Sequence, residues 1–91
     1  MAGFQIRKPH SMQKAELREA AEGLAEQLTA THGMRARWDG DSVQIKGAGV
    51  DGRLTLNDSD VLVSVELGLM ASAFKGVLRS EVQRYLDEYV S

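Results

Sequence analysis

Between Gly33 and Gly68 the apolar residues fall largely at every second position, while on both sides of that stretch they recur at every third or fourth. A period of two is that of a strand with one buried face, and a period near 3.6 is that of a helix with one buried stripe. The chain therefore has to be a block of neighbouring strands flanked by helices. Met34, Ala36 and Trp38 alternate with Arg35 and Arg37, and Val43 and Ile45 resume the alternation after Asp39-Gly40-Asp41, which reads as a hairpin turn. Gly47-Ala48-Gly49 breaks that second strand, and Asp51-Gly52 reads as a further turn before a strand over Arg53 to Leu56. Asn57-Asp58-Ser59-Asp60 is a tight polar turn, since short side-chain oxygens there bond to nearby backbone. Val61, Val63, Val65 and Leu67 then share one face, opposite Ser64 and Glu66.

The flanking segments follow. Phe4 and Ile6 alternate with Gln5 and Arg7 as a short strand, which Pro9 ends because proline has no N–H for a ladder. Leu17, Ala20, Ala21, Leu24, Ala25 and Leu28 form one stripe of a helix over about residues 12–32, with Ser11 as the expected N-cap and Gly33 as the expected C-cap. Gly23 inside the helix costs about 1 kcal/mol relative to alanine, which marks an expected close approach to the sheet. From Met70 onward a second amphipathic helix is expected, capped near Ser72, with Met70, Phe74, Val77, Leu78, Val82, Tyr85, Leu86 and Tyr89 on its apolar side. The order β-α-β-β-β-β-α, with turn-linked consecutive strands, predicts an α+β domain over residues 1–91: an antiparallel sheet of about five strands with both helices packed on one face.

Several functions are disfavoured. Eleven basic residues against thirteen acidic ones leave nothing in excess to neutralise phosphates, so neither nucleic acid nor an anionic lipid surface is an expected partner. The absence of cysteine excludes disulfides, zinc thiolates and thiol nucleophiles. No apolar run approaches the roughly 20 residues that span a bilayer, and the first residues lack a secretory pattern. The expectation is a cytoplasmic protein.

Catalytic signals are equally thin. His10 and His32 flank the first helix at opposite ends, too far apart for a shared metal within one chain. Asp39, Asp41, Asp51, Asp58 and Asp60 lie where turns are needed and lack calcium-loop spacing. No serine sits in a glycine-flanked nucleophile elbow, and the glycines of Gly47 to Gly52 lack the rest of a phosphate loop. The expectation is a non-enzyme with no cofactor and no metal.

The apolar stretch Leu67-Gly-Leu-Met-Ala-Ser-Ala-Phe-Lys-Gly-Val-Leu78 has two readings. Helical spacing sets Met70, Phe74, Val77 and Leu78 against the protein's own sheet, leaving Leu69 and Ala71 for an outer surface. The junction between strand and helix can instead turn Leu69, Met70 and Phe74 outward. With Trp38, whose place beside a turn suits the mouth between sheet and helix, these three are the candidate interaction residues.

Ile6-Arg-Lys-Pro-His-Ser-Met12 before an Ala/Glu-rich helix, then Gly49-Val-Asp-Gly52, the Leu67-Gly68 end of the last strand and Phe74-Lys-Gly76 stand in an order and spacing that resembles the small polyhydroxyalkanoic acid system proteins of bacteria. The resemblance runs from about Ile6 to Val90. It implies an accessory or granule-associated role in the storage of polyhydroxyalkanoate, a carbon-reserve polyester, with granules or granule proteins as partners, and it carries over no catalytic residue. The alternative reading is a small helix-grip-like binder of an apolar ligand such as a hydroxyacyl chain. A homodimer would use strand edges or helical faces.

Overall fold

The computed structural model describes residues 2–47 and 49–91; Ala48, inside the predicted Gly47-Ala48-Gly49 break, lies outside the described residues. Strand β1 (Ala2–Pro9) leads to helix α1 (Lys14–His32), then to β2 (Arg35–Asp39), β3 (Ser42–Gly47), β4 (Val50–Leu56), β5 (Asp60–Leu67), a single 3-10 turn (Ser72–Phe74) and helix α2 (Lys75–Tyr89). The sheet order is β1-β5-β4-β3-β2, antiparallel throughout. This is the predicted α+β architecture, with the predicted order of elements.

Alternation decides which face is covered. Ile6, Val43, Ile45, Leu54, Leu56, Val61, Val63, Val65 and Leu67 point inward and are buried. Leu17, Leu24 and Leu28 of α1 meet them, as do Leu78, Val82 and Leu86 of α2, in one continuous core. Each such side chain contributes about 1.5–3 kcal/mol when removed from water.

Among the described residues, no helix packs on the other face of the sheet. Across it, register sets Arg37, Gln44, Arg53, Ser64 and Gln5 in one row, and Arg35, Lys46, Asp51 and Glu66 in the next.

Several local expectations are corrected. Gln13, not Ser11, occupies the N-cap of α1 and makes no side-chain cap bond, so the helix starts at Lys14. Ser11 instead donates its N–H to the Ser91 carbonyl at 3.1 Å. Gly33 does close α1: its φ of 66° is left-handed backbone that glycine adopts without strain, and its N–H reaches the Thr29 carbonyl.

Gly23 faces α2 rather than the sheet. A Cβ there would collide with the Tyr85 hydroxyl, which donates to the Ala20 carbonyl at 2.8 Å. The missing side chain is a notch for Tyr85. Asp51-Gly52 is not a turn but part of β4, where Gly52 lies opposite Ile45 on one side and Val65 on the other.

The second helix also differs. α2 begins at Lys75, not near Ser72, and the 3-10 turn ahead of it has three residues per turn rather than 3.6. Helical phase counted back from Leu78 therefore fails before Lys75. Met70 and Phe74 fall outside the buried stripe, and Val77, about 100° around the helix from Leu78, lies on its flank. Ala71 was expected at the surface but is buried, close to Gly49 at the start of β4.

A candidate apolar docking ridge

The largest apolar exposure lies in the connection from β5 to α2. Leu69 is 86% exposed, Met70 91%, Phe74 62% and Val77 62%. Scattered exposed apolar residues are ordinary. Four large ones within one short segment form a patch of the kind that marks an interaction site.

Part of the backbone beneath them is paired internally. Gly68 N–H donates to the Gly49 carbonyl at 2.8 Å, Ala71 N–H to the Gly68 carbonyl at 3.1 Å, and Phe74 N–H to the Ala71 carbonyl at 2.9 Å. The Ser72 hydroxyl donates to the Leu69 carbonyl at 2.9 Å. These donors are already paired, so the ridge can meet an apolar surface without leaving them orphaned, which would cost about 1–3 kcal/mol apiece.

From Val77 the ridge runs into an open groove between α1 and α2, lined by Gln27, Ala73, Glu81, Arg84, Tyr85 and Tyr89. The Tyr85 and Tyr89 rings lie 4.5 Å apart at a 40° tilt. Burial, then the neighbouring Tyr89 and Glu88, pushes the Tyr85 phenol above its ordinary value. Staying protonated keeps the hydroxyl able to donate to Ala20. At the C-terminal end of α1, His32 Nε2 meets Glu81 Oε2 at 3.1 Å and ties the helices together a second time.

The structure brings Leu69, Met70 and Phe74 together and leaves Trp38 out. Trp38 sits on edge strand β2 opposite Val43, near the β2–β3 turn, whereas Leu67 leads into the ridge from the Val50 end of the sheet. Its ring is half buried, with the Arg18 guanidinium 4.1 Å from the ring centroid. Arg18 also donates to the Gly40 carbonyl at 3.1 Å, which fixes the cation over the indole. Trp38 thus packs under a cap, and its edge faces a surface hollow lined by Arg37, Ser42, Gln44 and Arg53. Val77 and Tyr89 were missed as surface residues. Their offset from the Leu78–Val82–Leu86 seam on a helical wheel is the signal that could have found them.

The interior offers little space. The cavity between the sheet and the helices, lined by Leu24, Leu28, Met34 and Val63 among others, holds about 20 Å³. That is room for about one water, against roughly 300 Å³ or more for an ordinary ligand site. A hydroxyacyl chain does not fit in the closed core.

The histidines serve the frame. His10 Nδ1 accepts the Met12 N–H at 3.1 Å, so its Nε2 carries the proton and donates to the Asn57 carbonyl at 2.8 Å, joining the β1–α1 link to the β4–β5 turn. Among the described residues no three His, Asp or Glu side chains gather as metal ligands. No helix among them is long and apolar enough to cross a membrane.

The fold and the ridge define a class first: a small α+β layer pair that covers one sheet face and leaves apolar side chains outside. The chain belongs to the family described as "Putative polyhydroxyalkanoic acid system protein", which matches residues 4–90. No curated protein and no solved structure matches it.

Proposed function

We propose that this chain is a non-catalytic accessory protein of polyhydroxyalkanoate storage, acting in the cytoplasm at the granule surface through the Leu69–Val77 ridge. The observation that carries this reading is the exposure of Leu69, Met70, Phe74 and Val77 in a member of this family. A polyester surface offers carbonyl acceptors and aliphatic chain but no donors. A ridge with large apolar side chains, and with the Gly68, Ala71 and Phe74 N–H groups paired internally, suits such a surface. Transferring half of four such side chains out of water is worth about 3–6 kcal/mol before the cost of orienting the protein. That supports reversible adsorption rather than permanent anchoring.

The test is co-sedimentation with purified polyhydroxyalkanoate granules. The wild-type chain is expected in the pellet, and the Leu69→Ser/Met70→Ser/Phe74→Ser variant in the supernatant. Wild-type protein that stays in solution, or a variant that pellets equally well, would overturn the reading.

A further inference from the structure

The β2–β4 half of the bare sheet face carries an excess of cations, where the solvent face of α1 carries glutamates; Glu66 lies beyond it on β5. Arg35, Arg37, Lys46 and Arg53 stand exposed on the β2–β4 half of the sheet, interrupted by Asp51 across from Lys46 and bordered by Asp39 at the turn. Glu19, Glu22 and Glu26, with Glu16 beside them, follow helical spacing on the side of α1 away from its buried Leu17, Leu24 and Leu28. Among the described residues, none of these four cations and none of these four glutamates has an ion-pair partner. The cations of α1 are turned elsewhere: Lys14 pairs with Asp41 at 2.9 Å, and Arg18 lies over Trp38.

One spacing also agrees. Glu19 and Glu26 are seven residues and about 10.5 Å apart along one helix face. Arg37 and Arg53 face the same row from β2 and β4, two strand spacings or about 9.6 Å apart.

We propose that the partner fitted by the bare sheet face is a second copy of this chain, laying its α1 glutamates across Arg35, Arg37 and Arg53. The two patches lie on opposite layers of the molecule, so the contact is head to tail and repeats into an open row rather than closing as a dimer. Charged Arg35, Arg37 and Asp39 discourage pairing through the β2 edge itself. The ridge from Leu69 to Val77 belongs to neither patch and stays free in the row.

Sedimentation velocity on the isolated protein tests this without any granule, so its failure is separate from failure of adsorption. At about 20 mM salt the weight-average sedimentation coefficient is expected to climb with concentration past the dimer value, and at about 500 mM to return to monomer, because the contact is screened. Glu19→Lys/Glu22→Lys/Glu26→Lys and Arg35→Glu/Arg37→Glu/Arg53→Glu should each weaken association at least about tenfold, the equivalent of one ion-pair-sized interaction. Mixed together they should associate again, since each then offers the face the other lacks. A reversed variant that loses its helical circular dichroism is replaced by its Gln counterpart, which must also fail to associate. A monomer at low salt, an association that survives either reversal, or a mixture of the two charge-reversed variants, both folded, that stays apart overturns the proposal.

Discussion

The two halves of the segment after β5 use the same kinds of side chain in opposite ways. Leu78, Val82 and Leu86 are spaced four apart on α2, and all are buried against the sheet. Leu69, Met70, Phe74 and Val77 are at least as apolar in sum, yet they stand in water. Residue type does not separate them. What does is that one set lies on a helix whose seam packs into the core beside β1, while most of the other lies on a turn and a 3-10 stretch outside it. Burial on the first half holds the fold, and exposure on the second is a standing cost.

The sharpest break of this contrast is Leu86→Ala. Its removal from the seam should lower unfolding free energy by about 2–5 kcal/mol, measured by urea denaturation. Next in size, Leu69→Ser/Met70→Ser/Phe74→Ser should weaken retention on polyester granules at least about tenfold, or about 1.4 kcal/mol. The same variant should change stability by no more than about 0.5 kcal/mol per site. A seam substitution without a stability loss, or a ridge substitution with a large one, would erase the distinction.

Gly23→Ala probes where the two helices touch. Alanine adds about 1 kcal/mol of helix propensity, but its methyl displaces Tyr85 from its bond to Ala20, so the net effect in the wild-type chain should be a loss of about 1 kcal/mol. In a Tyr85→Phe background the obstruction is gone, and the same substitution should stabilise by about 1 kcal/mol. A double-mutant cycle in chemical denaturation reads the change of sign.

The smallest effect is that of acid. Asp60 is held below its ordinary value of 3.8 by hydrogen bonds from Asn57 and Arg7. Asp87 is held below the same value by those from Lys8 and Gln83. A depressed folded value means that the contribution is complete above the ordinary carboxylate range and is lost as pH falls through it toward the folded value. Asp60→Asn/Asp87→Asn should therefore flatten the stability profile below about pH 4 and lower the plateau slightly, since both groups are at the surface.

Much of this architecture was legible before any coordinates. Period two in Val61 to Leu67, period 3.6 in Leu17 to Leu28 and the glycine after His32 identify β5, α1 and its end through backbone geometry alone. The failures are specific. Asp51-Gly52 has the composition of a turn, yet Gly52 is buried in β4 with strands on both sides, and the local reading had no access to that register. Ser11 has the right oxygen for a cap, but its backbone is engaged by Ser91 at the far end of the chain. The ridge was half legible: Leu69, Met70 and Phe74 could be singled out by type, but which way they face depended on a 3-10 turn that resets helical phase.

One feature of the sheet bears on how the chain is made. Among the described residues β1 pairs with β5 alone, from Ala2 opposite Leu67 to Pro9 opposite Asp60. A nascent chain leaving the ribosome at roughly 5–20 residues per second therefore carries its first strand without a neighbour for several seconds, until the last strand emerges. Arg7, Lys8 and Pro9 occupy that strand beside Phe4 and Ile6. Charge and a proline are the features that oppose premature pairing of such a strand with another nascent chain while its own mate is still being translated.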